Sequence, residues 1–246
     1  MPPSRIAVTM RVVDAEGYHE PRDAISHDWI LFLRDLGCEP VLVPNLLANP
    51  VSFVERAGVH AMLLTNGEDV RRSRTGNDAS VGSVGSVGPS NRDDTEFALL
   101  DWALGRNLPV LAVCRGLHLV NVYFGGSVVR EIEQTVNGAL NHVATLHNIQ
   151  IIDATTRNSL KTEGGQVNSF HRHGISDSTL GDRLVPFAKA SDEIIEAFYV
   201  ADKPVLAIQW HPERPGPRDF CQRNLAVSFL MQGAWWHVGG ALGERR

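Results

Sequence analysis

Residues 109–128 read PVLAVCRGLHLVNVYFGGSV. The run opens with Val110, Leu111, Ala112 and Val113, and a cysteine follows at once. Beyond Arg115 and Gly116 the period changes, and Leu117, Val120 and Phe124 recur at helical spacing. A buried strand, a sharp turn and a helix are therefore predicted, with Cys114 at the turn. A side chain placed there stands clear of the sheet, above the N-terminus of the next helix. Ala112 and Gly116 keep bulk away from the turn, the logic of a nucleophile elbow. The helix N-terminus favours a thiolate over a thiol. A buried structural cysteine is the competing reading, since free cysteine is among the most buried residue types. This stretch alone does not decide between them.

A second stretch shifts the balance. Residues 204–214 read PVLAIQWHPER, with another buried strand over 205–209 and His211, Pro212 and Glu213 directly after it. A cysteine nucleophile needs a base, and the base needs an orienting acceptor. In extended chain, residues two apart leave on the same side, so Glu213 can receive the imidazole N–H and fix its tautomer. A surface His-Pro-Glu turn is the bland alternative. A strand-end Cys and a strand-end His-x-Glu in one chain coincide by chance far less often than either occurs alone.

With LAVCRG around Cys114, the pair Gly125 and Gly126, and WHPE at 210–213, the chain resembles the class I glutamine amidotransferases over roughly residues 6–230. The Cys-Arg-Gly form and NSFHRHG at 168–174 resemble that superfamily's γ-glutamyl hydrolase branch. The resemblance implies one α/β domain over residues 1–246, flavodoxin-like, with a central mostly parallel sheet flanked by helices. It implies a cysteine-dependent hydrolase that cleaves a γ-glutamyl amide through a thioester, with Cys114, His211 and Glu213 as the catalytic triad and no metal or cofactor. It also implies an oxyanion hole from the amides of Gly67 and Arg115, although Asn66 stands where a glycine is common. Asn168, Ser169 and His171 would hold the substrate, and His118 stands where relatives carry a glutamine that frames the glutamyl site. The segments TMRVV, YHEPRDAISHDWILFLRDLG and PVLVPN are similar to a sub-branch acting on γ-glutamyl-CDP-amidate in surface-polysaccharide pathways. Ammonia, γ-aminobutyrate, other amines and polyglutamate stay open as leaving groups. So does a glutaminase subunit serving a synthetase partner. A non-catalytic binding protein would have no need to keep Cys114, His211 and Glu213 together.

Composition agrees with an enzyme. The chain has 246 residues, 43% hydrophobic and 21% charged, enough for one large domain with a substantial core. A net charge of −5 argues against a nucleic-acid surface. Three cysteines without metal-type spacing point to a reducing compartment. No signal peptide and no bilayer-spanning run is read, so the expectation is a cytoplasmic protein that acts on a small molecule. A homo-oligomer stays open.

In chain order, strands are predicted at 6–10, 39–44 and 61–64, with a helix over 24–36 stopped by Gly37. Tyr18, Arg22 and Asp23 read either as cover for the site or as a capped helix start. Residues 71–91 hold a low-complexity Gly-Ser-Val repeat, read as a flexible loop, with a lid, plain disorder and a phosphate cradle as its readings. Arg92, Asp93 and Glu96 open a helix to about Gly105 and read as structural. An antiparallel hairpin falls within 134–165. His142, His147, His171 and His173 invite a metal reading, but spacings of five and two match no closed zinc pattern, and no metal is assigned. Two strand-like runs fill 183–200, a helix closes at 219–232, and the tail 233–246 reads as frayed, with Trp235 and Trp236 as candidates to dock.

Overall fold

The structure is a computed structural model that describes residues 4–70 and 89–236. In chain order its elements are β1 (Ser4–Thr9), β2 (Arg11–Asp14), β3 (Pro21–Ala24), α1 (His27–Asp35), β4 (Cys38–Val43), α2 (Pro50–Ala57), β5 (Ala61–Leu64), α3 (Pro89–Gly105), β6 (Val110–Val113), α4 (Arg115–Tyr123), α5 (Ile132–Thr135), β7 (Thr145–Ile151), α6 (Ala154–Leu160), β8 (Gly164–Ser169), β9 (Leu184–Ala190), β10 (Ile195–Val200), β11 (Val205–Ile208) and α7 (Phe220–Gln232). Nine strands form one sheet in the order β4-β1-β5-β6-β11-β10-β9-β7-β8, and β2 and β3 pair separately. From β4 to β11 every pairing is parallel. From β11 to β8 every pairing is antiparallel. The sheet is thus mixed, and its parallel half carries the cysteine turn.

The central strands are buried on both faces, which explains their continuous apolar runs. Their side chains alternate between two cores. Ile6, Val8, Leu63, Leu111 and Val113 meet Trp29 and Phe32 of α1 and Leu225 and Phe229 of α7. Ala7, Met62, Leu64, Val110 and Ala112 meet Leu99 and Leu100 of α3 and Leu117 and Val120 of α4. This is the period-two alternation of a strand read out as a three-layer sandwich.

Several boundaries differ from the sequence reading. Helix α1 begins at His27 because residues 21–24 pair with β2, and Ser26 caps the helix by accepting the Asp28 N–H at 3.3 Å. Asp23 is therefore not a cap; it accepts the Asn45 N–H at 2.9 Å and ties the β2–β3 hairpin to the end of β4. Arg22 bonds the Tyr18 hydroxyl at 2.8 Å on the exposed hairpin. The Gly-Ser-Val repeat lies outside the described residues, and α3 starts at Pro89, ahead of Arg92.

The tail does not fray at residue 233. Trp236 stacks on Phe229 and Tyr199 with centroids at 5.7 and 4.6 Å, and its Nε1–H donates to the Val200 carbonyl at 3.1 Å. Trp235 meets Phe187 edge-on and donates to the Thr156 hydroxyl at 3.3 Å. Aromatic area outweighs the entropy of ordering so few residues. Trp236→Ala is expected to cost about 3–5 kcal/mol of unfolding free energy, read as a lower urea midpoint with an unchanged slope.

Candidate active site

The turn after β6 is built as the apolar run and its small neighbours require. Cys114 has φ 54° and ψ −103°, a region that non-glycine residues rarely occupy. Such a conformation costs of order 1–3 kcal/mol and persists only where surroundings over-determine it. Here the Cys114 N–H donates to the Ile208 carbonyl at 2.9 Å, and the Cys114 carbonyl accepts the His118 N–H at 3.2 Å, opening α4. At Gly116 a side chain has no room, since a Cβ would lie 2.5 Å from the Leu64 carbonyl oxygen. Cys114 is partly exposed, whereas Cys38 and Cys221 are buried. Burial raises both of their thiol pKa values, that of Cys221 to about 11.

Strand β11 runs parallel to β6 in register, with Ile208 beside Val113, so the chain leaves the sheet next to Cys114. His211 is 1% exposed and its Nδ1–H lies 2.7 Å from Glu213 Oε1. Its backbone is clamped: Asn168 accepts the His211 N–H and donates to the His211 carbonyl, each at 2.9 Å, and Gln222 donates to that carbonyl at 2.8 Å. Burial works against an imidazolium here. The Cys114 sulfur and the Glu213 carboxylate, both favouring the cation, outweigh it, and the His211 pKa is raised to about 9.

Opposite the cysteine lies the turn after β5. Gly67 has φ 151°, and a Cβ there would stand 2.3 Å from Arg92 Nη1. Arg92, fully buried, donates to the Thr65 and Asn66 carbonyls at 3.0 and 3.2 Å. In a trans peptide the next N–H points the opposite way, so the Gly67 N–H faces away from Arg92. Asn66 accepts the Trp29 Nε1–H at 3.1 Å. Arg92 also pairs with Glu96 and Glu68, each at 2.9 Å. The side chain of Arg115 pairs with Glu96 and Asp93 in the same buried cluster. Burial opposes a charged Glu96, but Arg115 and Arg92 beside it hold its carboxyl below the usual range.

Gly67, Cys114, Arg115, His118 and His171 all line one cleft of about 250 Å³. His118 is buried and its Nε2–H lies 2.9 Å from Gln209 Oε1. Burial above all pushes its pKa down to about 3, so the ring is neutral. Asn168 and Ser169 do not line the cleft. Asn168 serves the His211 backbone, and Ser169 donates to the His142 carbonyl at 2.9 Å. Both are buried, and a buried polar group takes the nearest backbone partner. Of the four candidate histidines, His142, His147 and His171 converge on Glu196, while His173 pairs with Asp69 at 3.2 Å. Sequence reasoning missed Glu196. Its signal was a lone acid inside the otherwise apolar run IEAFYV.

Fold and site together define the class. A glutamine amidotransferase from Thermotoga maritima has the same fold, at a TM-score of 0.53 and 14% identity, covering 85% of this chain and 76% of that one. The chain belongs to the peptidase C26 family, whose model matches residues 6–213. It is 34% identical over 191 residues to the glutamine amidotransferase-like protein YvdE of Lactococcus lactis, 73% of this chain and 76% of that one. It is 28% identical over 210 residues to the γ-glutamyl-CDP-amidate hydrolase of Campylobacter jejuni, covering 85% and 90%. It is 31% identical over 152 residues to the γ-glutamyl-γ-aminobutyrate hydrolase PuuD of Escherichia coli, covering 56% and 59%. The family and these relatives support a γ-glutamyl amide hydrolase or glutamine amidotransferase-like function. No helix among the described residues is long and apolar enough to cross a membrane.

The buried ion cluster makes a direct prediction. Arg92→Met leaves Glu96 and Glu68 without that guanidinium and releases the turn at Gly67. Unfolding free energy is expected to fall by about 3–5 kcal/mol in urea titration, the cost of breaking a buried pair from one side.

Proposed function

We propose that the chain hydrolyses γ-glutamyl amides with Cys114 as nucleophile, His211 as base and acid, and Glu213 as its orienting acceptor. The observation that carries this reading is His211, bonded to Glu213 at 2.7 Å, on the chain that leaves β11 beside Cys114, with Cys114, Gly67 and Arg115 lining one cleft. His211, as imidazolium, already holds the proton that Cys114 gives up, and the sulfur attacks the γ-carbonyl carbon. The carbonyl oxygen becomes an oxyanion facing the amides of Gly67 and Arg115, each donor worth about 3 kcal/mol in the transition state. The C–N bond then breaks, and the departing nitrogen takes its proton from His211. A water that His211 deprotonates attacks the thioester, and glutamate leaves as the thiol re-forms. Each proton removed is returned, so the cycle needs no cofactor.

The nucleotide amidate is the leaving group we favour. Its support is that the Campylobacter γ-glutamyl-CDP-amidate hydrolase aligns over most of both chains, whereas PuuD aligns over little more than half of each. Glutamate release should be compared for γ-glutamyl-CDP-amidate, γ-glutamyl-γ-aminobutyrate and glutamine. Cys114→Ala is expected to lower kcat/KM at least about 10³-fold on whichever compound is cleaved. Cys114-independent release, or none from any γ-glutamyl compound, refutes the hydrolase reading. Release from γ-glutamyl-γ-aminobutyrate alone refutes only the nucleotide preference.

The raised His211 pKa sets a pH test. The imidazolium that protonates the leaving nitrogen is present below about pH 9, so kcat/KM should fall as pH rises through that value. Glu213→Gln removes a negative neighbour that favours the cation. The basic limb of the profile is therefore expected to move to lower pH, and an unmoved limb would take Glu213 out of this role.

A further inference from the structure

Beside the cleft, but outside the Cys-His-Glu constellation, four buried side chains from four segments point at one spot. They are His142 before β7, His147 on β7, His171 after β8 and Glu196 on β10, and their ligand atoms all lie within 4.8 Å of one another. His142 Nδ1, His147 Nε2 and His171 Nε2 stand 3.6, 3.5 and 3.4 Å from Glu196 Oε1. Among the described residues, His147 Nε2, His171 Nε2 and both Glu196 oxygens have no hydrogen-bond partner.

The outer nitrogens say which way each ring is protonated. His142 Nε2 lies 2.9 Å from the Asp192 carboxylate, His171 Nδ1 lies 2.9 Å from the His173 carbonyl, and His147 Nδ1 lies 3.3 Å from the Asn148 carbonyl. Each partner only accepts, so each outer nitrogen donates. In the neutral ring the inner nitrogen then offers a lone pair. Three lone pairs facing a buried carboxylate repel it, and an uncompensated buried carboxylate costs several kcal/mol. Something positive belongs between them.

Distance decides what. Direct imidazolium–carboxylate bonds would close to about 2.7–2.9 Å, and all three contacts are longer. Ligands on a tetrahedral zinc at about 2.0–2.1 Å stand roughly 3.3–3.4 Å apart. The observed 3.4, 3.5 and 3.6 Å fit a shared ion rather than direct pairing. The second shell fits as well, because histidine ligands habitually donate their other N–H to a carboxylate or backbone carbonyl.

We propose that His142, His147, His171 and Glu196 form a closed, four-coordinate site for a divalent first-row transition metal, zinc by preference. Its role is structural. Three imidazoles and one carboxylate leave no open position for a substrate, and the ion ties β7, β8 and β10 together behind His171, which lines the cleft. Spacing along the chain argued against a metal, because the fourth ligand comes from a strand far downstream and because His173 turns away to Asp69.

The test uses the full chain, stripped with a chelator and titrated with Zn(II) and with Co(II). One equivalent of each is expected to bind with sub-micromolar affinity. Co(II) should show the intense visible absorption of four-coordinate geometry, and Zn(II) should raise the melting temperature. Asp192→Asn, which leaves every ligand in place, should weaken Zn(II) about 10–100-fold. Glu196→Gln and His147→Asn should weaken it further and abolish the four-coordinate spectrum. No stoichiometric binding to the stripped wild type overturns the proposal, as does a weak six-coordinate Co(II) spectrum. Binding that Asp192→Asn, Glu196→Gln and His147→Asn all leave unchanged overturns it too. If the two ligand variants fail to fold, the wild-type Co(II) spectrum and Asp192→Asn decide it.

Discussion

Arg92 is the constraint on which the site depends. It is fully buried, and its one guanidinium grips the carbonyls of Thr65 and Asn66 while pairing with Glu68 and Glu96. Glu96 in turn holds Arg115, the first residue after the cysteine. Two sheet ends, those of β5 and β6, are thereby fixed to one helix and so to each other. Taking several charges out of water costs several kcal/mol per ion, and apolar packing would often stabilise as well. What the ions supply here is geometry. A guanidinium directs its five N–H groups along fixed lines, and an apolar side chain could not orient two carbonyls.

The second half of the site needs no such clamp across the sheet, because strand register supplies it. Ile208 lies beside Val113, and the Cys114 N–H reaches the Ile208 carbonyl. The residues after β11 must then emerge alongside the turn at Cys114. Asn168 and Gln222 finish the placement by binding the His211 backbone rather than its ring, which leaves the ring to Glu213 and the thiol.

What could be read from the chain follows from how local each cause is. The turn at Cys114 depends on Ala112 and Gly116, both near neighbours, and it was legible. So was the pairing of His211 with Glu213, two residues away. Asn168 was legible as a residue near the site but not in its role, since its partner is a backbone 43 residues distant. The antiparallel half of the sheet was read as hairpins without its place on the sheet edge, because short alternating strands do not state their neighbours. Trp235 and Trp236 were legible as candidates to dock in a glycine-rich tail that otherwise reads as frayed, but their partners Tyr199, Phe229 and Phe187 were not.

The two halves of the sheet divide the labour of the site. The cysteine, the Gly67 turn and the ion cluster all hang from the parallel half, where buried strands and tight turns leave little freedom to vary. The outer wall of the cleft, with Val143, Phe170, His171 and Arg172, comes from segments flanking the antiparallel strands β7 and β8. A γ-glutamyl group presents the same carbon, oxygen and nitrogen whatever amine it carries, so under the proposed reaction the chemistry common to all such amides draws mainly on the parallel half. Under the proposed reaction, discrimination between amines would fall to the wall, which is loop and strand end rather than motif. That is why short patterns along this chain reach the reaction before they reach the leaving group.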